Sequence, residues 1–106
     1  MAFVLVITTL PDESSARALA QALVESRLAA CVNVLGSCHS VYRWQGAVEE
    51  TGEVPLLIKA RAERYAELEA LICSRHPYQV PEIIALPIER GLPAYMAWLD
   101  ENTAAP

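Results

Sequence analysis

Residues 3–9, Phe3-Val4-Leu5-Val6-Ile7-Thr8-Thr9, are apolar or β-branched at odd and even positions alike. A strand with one solvated face alternates, whereas a strand covered on both sides does not. This stretch therefore predicts a central strand, and any fold that contains it must supply two layers of cover. Pro11-Asp12 stops it. Asp12 is a good helix cap, and Ala16, Leu19, Ala20 and Leu23 follow at the spacing of a buried helical stripe, which predicts a helix through about Leu28.

The next strand is expected over Cys31 to Leu35, with Gly36-Ser37 turning into a third. There Ser40, Tyr42 and Trp44 share one face and Val41, Arg43 and Gln45 the other. Gly46 and Gly52 are expected to frame a reversal, and Val54 to Arg61 to form a fourth strand. Pro55 within it predicts an edge position or a bulge, because proline has no N–H to give to a ladder. A second helix from about Glu63 carries Tyr65, Leu68 and Ile72 and ends before Pro77. Ile83 to Ile88 is a short strand, and Pro93 opens a last short helix with Tyr95, Met96 and Leu99. The order is that of a split βαβ unit: an α+β fold with two helices on one face of an antiparallel sheet and an extra C-terminal helix. Its other face then needs a cover, and a closed cyclic homo-oligomer would hide that face together with the strand edges.

At 106 residues the chain reads as one domain, spanning 1–106, long enough to bury roughly 65% of its unfolded surface. Eight basic against 13 acidic residues leave a net charge of −5. The basic residues are scattered, so a nucleic-acid partner is not expected. The apolar N-terminal run is too short to span a membrane and lacks the basic flank of a signal peptide. Cys31, Cys38 and Cys73 are an odd number without a C-x-x-C pair, which fits a reducing compartment and predicts a cytoplasmic protein without a membrane partner.

Chemistry concentrates in His76-Pro77-Tyr78-Gln79-Val80-Pro81-Glu82-Ile83-Ile84. Each proline fixes its own φ and drives His76 and Val80 toward extended conformations, making a stiff bracket between helix and strand. Stiff segments at element boundaries suit binding sites and equally serve as helix terminators. Cys31 is followed by Asn33, and His39 and His76 are available, but the chain has no nucleophile elbow and no glycine run to donate to an oxyanion, so no enzymatic activity is expected. Glu49, Glu50 and Glu53 read as a solvated face near a turn.

Ala30-Cys31-Val32-Asn33-Val34, Ser40 with Tyr42, Trp44 and Gly46, Lys59, His76-Pro77-Tyr78 with Val80-Pro81-Glu82-Ile83, and Gly91 with Tyr95 and Trp98 fall in a specific order and spacing. Over about residues 3 to 100 the chain resembles the CutA family of divalent-cation tolerance proteins. The resemblance implies a ferredoxin-like subunit and a homotrimer similar in architecture to PII-like signalling proteins, with no reaction attached. It also implies a role in the response to divalent metal ions such as copper, with no obligatory cofactor.

Cys73 and His76, three residues apart at a helix end, could face one ion, and thiolate with imidazole suits copper or zinc. Two ligands hold an ion only weakly. Some members carry a cysteine late in the first strand and a His-His pair before Pro-Tyr; this chain has Thr8 and Arg75 there, which leaves His76. Two function classes follow. One is a trimer that binds a metal ion or small ligand at an inter-subunit cleft built from Tyr42, Trp44, Lys59, His76, Tyr78 and Glu82, where Lys59 beside aromatic rings favours an anionic molecule. The other is a trimeric interaction scaffold in which the same residues are structural.

Overall fold

The structure, a computed structural model, describes residues 2–105. Strand β1 (Phe3–Leu10) lies between β4 (Ala47–Arg61) and β5 (Ile83–Pro87), antiparallel to both, and β2 (Cys31–Val34) pairs with the far side of β4 in the order β2-β4-β1-β5. Strand β3 (Cys38–Trp44) extends the pairing along the first half of β4. Helices α1 (Glu13–Glu25) and α2 (Tyr65–Arg75) lie over one sheet face, and α3 (Pro93–Asn102) meets part of the other. This is the ferredoxin-like α+β arrangement with a C-terminal helix that the sequence predicts.

Val6 and Leu10 of β1 and Val54, Leu56, Ile58 and Ala60 of β4 point to the helices and are buried against Leu19 and Leu23 of α1 and Leu68 and Ile72 of α2. Truncating one such leucine to alanine costs about 2–5 kcal/mol. On the opposite face α3 covers only one end, through Leu99 packed with Phe3 and Ala30. Arg61 ties it down, pairing with the Asp100 carboxylate at 2.8 Å and donating to the Thr103 hydroxyl at 3.0 Å. Ile84 and Leu86, which stand opposite Ile7 and Leu5 in register, remain 49% and 44% exposed.

Three boundaries differ from expectation. Helix α1 ends at Glu25, not Leu28, because Arg27 takes φ 63° and the amides of Leu28 and Ala29 both turn back to the Leu23 carbonyl. Arginine is an unfavourable choice for that left-handed position. It is anchored there, donating to the carbonyls of Glu101 and Ala104 at 2.9 and 3.2 Å.

Secondly, β4 begins at Ala47 rather than Val54. Only Gly46 reverses the chain: Gln45 and Gly46, at φ 48° and 82°, form the two-residue turn whose twist suits a hairpin, and Gly52 sits inside the strand. Thirdly, Pro55 lies in a strand paired on both sides. Its carbonyl accepts from Leu35 at 3.0 Å, one residue beyond the end of β2. Since N and O of one strand residue point to the same side, the missing N–H faces Leu35, where β2 has just stopped, so the proline costs only the last bond of that ladder and none with β1.

Candidate functional site

Helix α2 ends at His76, whose extended backbone (ψ 133°) is what the following proline demands. The ring then closes the corner. Its Nε2 lies 2.7 Å from the Thr9 carbonyl, and Nδ1 accepts the Tyr78 amide at 3.1 Å. A carbonyl can only accept and an amide can only donate, so the pair of bonds assigns the neutral Nε2–H tautomer. Tyr78 stacks against it at a centroid distance of 4.8 Å and a tilt of 54°. The bracket is thereby fastened to the end of β1.

Across from the bracket stands the β3–β4 hairpin. Tyr42 and Trp44 come from β3, Tyr78 and Glu82 from the bracket, and Thr9 and Glu53 from the sheet, all lining one groove of about 860 Å³. Glu53 is only 8% exposed, and its carboxylate accepts from the Thr9 hydroxyl at 3.0 Å. Burial first, then hydrogen bonding to Glu53 and the charge of that carboxylate, push the Tyr78 phenol up to about 12, with a smaller contribution from Tyr42. Tyr78 is therefore a protonated donor at any ordinary pH.

The structure thus brings four of the predicted cleft residues together and leaves two apart. His76 supports the groove from behind. Lys59 lies on the partly open sheet face, opposite Leu5 in register, where its ammonium meets the Asn33 side-chain oxygen and the Cys31 sulfur at 3.8 Å. Cys73 is exposed on α2, and both ring nitrogens of His76 are already engaged, so the two do not form a preorganised ligand pair here. Among the described residues no group of three or more His, Cys, Asp or Glu could hold an ion.

Glu53 is the site residue that sequence reasoning misplaced onto a solvated face with Glu49 and Glu50. The signal lay in strand period. Once β4 is one strand from Ala47, position 53 shares a face with Pro55 and Leu57 and stands diagonal to Thr9, whereas Glu50 points outward and pairs with His39 at 3.2 Å.

A family model described as CutA1 divalent ion tolerance protein matches residues 4–102. The chain belongs to the CutA1 family. It is 50% identical to the divalent-cation tolerance protein CutA of Thermus thermophilus over 98 residues, covering 92% of this chain and 95% of that protein. It is 44% identical to mouse protein CutA, of which it spans only 54% while using 90% of its own length. Among solved structures, the Thermus thermophilus CutA1 superposes with a TM-score of 0.94 at 48% identity, covering 96% of this chain and 99% of that one. A CutA from Archaeoglobus fulgidus described as periplasmic superposes with a TM-score of 0.93 at 35% identity, covering 96% and 99%. The CutA1 fold is thus matched along nearly the whole sheet, including the hairpin and the bracket that make the groove. No helix among the described residues is long and apolar enough to cross a membrane.

Proposed function

We propose that this CutA1-family protein acts in divalent-cation tolerance as a homotrimer without turnover, by binding a small ligand or metal ion in the groove between the β3–β4 hairpin and the 76–82 bracket. The observation that carries this reading is the convergence of Tyr42, Trp44, Tyr78 and Glu82, from separate stretches of sequence, around the buried Glu53. Such a groove, with aromatic walls and a few fixed polar groups, has the make-up of a ligand site. Phenols, an indole and carboxylates suit contact rather than covalent chemistry.

Assembly is supported by the second sheet face, where Ile84 and Leu86 stand exposed beside Leu5 and Ile7. Aliphatic surface of this kind is normally buried against another chain. The free thiols of Cys31, Cys38 and Cys73 support a reducing compartment, the cytoplasm.

Titration of copper and of a small-molecule panel, followed by the Trp44 indole resonance with Tyr78→Ala as control, tests the binding role. Ligand-induced shifts lost in the variant are the expected result. Absence of any shift with every probe overturns it.

A further inference from the structure

The groove has a one-sided electrostatic character. It is lined by two carboxylates, Glu53 and Glu82, and three aromatic rings, Tyr42, Trp44 and Tyr78, while no lysine, arginine or histidine among the described residues lines it. Glu53 is withdrawn from water, and none of the ion pairs among the described residues includes it. Its carboxylate accepts from the Thr9 hydroxyl, and the Tyr78 phenol lies near enough to be shifted by it. A buried carboxylate is costly unless a positive charge or further donors compensate it, and its two oxygens offer more acceptor sites than two hydroxyls fill.

We infer that the groove takes an organic cation, an ammonium or guanidinium group seated against Tyr42, Trp44 and Tyr78 with Glu53 as its counter-charge. This rests on the reading of the groove as the ligand site and adds the class of ligand. Ring faces carry negative quadrupole density and attract a weakly hydrated cation, most strongly at an indole. A carboxylate behind the rings adds charge complementarity in a medium of low dielectric. An anionic ligand would meet Glu53 and Glu82 with no basic side chain to receive it, since Lys59, the residue that favoured an anion on sequence grounds, lies six positions further along β4, opposite Leu5, and is held by Asn33 outside the groove. A bare metal ion gains little from ring faces and needs more donors than this wall offers.

Three probes of one shape and different charge test the class: tetramethylammonium, tert-butanol and pivalate, each titrated into the full-length protein in its native assembly. The readouts are the Trp44 indole and Tyr78 amide resonances. Tetramethylammonium is expected to shift both saturably, at least about tenfold more tightly than tert-butanol, with pivalate leaving them unmoved. Glu53→Gln should remove most of that preference. Because Glu53 also holds Thr9, Trp44→Leu at the strand end serves as a second variant and should abolish saturation while the Tyr95 and Trp98 resonances stay in place. Equal shifts with all three probes, or a preference for pivalate, overturn the cation while keeping the groove as a ligand site. Silence toward all three, with the fold intact, overturns the cation, and only silence toward copper and the small-molecule panel as well overturns the groove as a ligand site.

Discussion

The Thr9 hydroxyl donates to the Glu53 carboxylate across 3.0 Å at the point where β1 ends, and the Thr9 carbonyl meets the His76 ring 2.7 Å away. One residue therefore fastens both walls of the groove, the hairpin through its side chain and the bracket through its backbone. Thr9→Val removes only the first tie and leaves a buried carboxylate short of a donor. A loss of about 1–3 kcal/mol is expected, and a double-mutant cycle with Glu53→Gln should show coupling of about 1 kcal/mol. Urea unfolding at matched protein concentration measures both.

Tyr78 supplies an alkaline signature. Its phenol is pushed up to about 12 from an ordinary 10.0, chiefly by burial and then by Glu53. A group whose native pKa is raised contributes stability in full below its unfolded value, and that contribution is lost as pH climbs from about 10 toward 12. In a tyrosinate absorbance titration, Tyr78→Phe should remove the last-titrating phenol. A wild-type curve ending at the same pH as the variant's would contradict the buried assignment.

Asp12 gives the acid counterpart. Its carboxylate accepts the Ser15 amide at 2.7 Å, and hydrogen bonding from the Ser15 backbone and then its hydroxyl lowers the Asp12 pKa below 3.8. A depressed native pKa means that the contribution is present above 3.8 and fades as pH falls through the lower native value. Asp12→Asn keeps a capping oxygen and should flatten the melting temperature's dependence on pH in that range. Asp12→Ala should lower the melting temperature at neutral pH as well.

Copper is expected to bind weakly. Occupying His76 requires Nδ1 or Nε2 to give up its hydrogen bond, and the exposed Cys73 thiol does not hold a place in advance. Calorimetric titration should give modest affinity that weakens at acid pH, as imidazole ligands protonate. Equal binding by wild type and His76→Ala would move the metal elsewhere, and the exposed His39 beside Glu50 is the next place to look.

The open sheet face predicts an assembly stable at micromolar concentration. Ile84→Glu places a charge opposite Ile7 and should shift sedimentation from trimer to monomer without unfolding the subunit. A wild-type protein that sediments as a folded monomer would remove the need for a cover.

Much of the fold could be read from local signals. The unalternating β1, the Asp12 cap, the Leu68–Ile72 stripe and Pro93 each act within a few residues, and the four elements they mark lie within a few positions of their expected places. The errors came from choices made at a distance. Arg27 adopts a glycine-like φ because carbonyls of Glu101 and Ala104, more than 70 residues away, hold its side chain. Pro55 is tolerated because β2 happens to stop beside it. For the groove, residue types at Tyr42, Trp44, Tyr78 and Glu82 pointed correctly, but the placement of Lys59 and Glu53 depended on strand register, which one extra or missing residue in β4 would reverse.

Strand β4 has 15 residues, which at about 3.3 Å each would reach nearly 50 Å if straight, so it must bend or coil to fit the molecule. The longest dimension of the molecule is 44 Å, so this one strand is its keel. One end forms a wall of the groove and the other backs the open apolar sheet face, with no turn between them. A continuous strand hydrogen-bonded along its length passes a displacement at one end to its ladder partners. A molecule wedged beside Tyr42 and Trp44 should therefore be felt as a change in amide exchange near Leu57 and Lys59, and loosening the proposed trimer should slacken the grip at the hairpin.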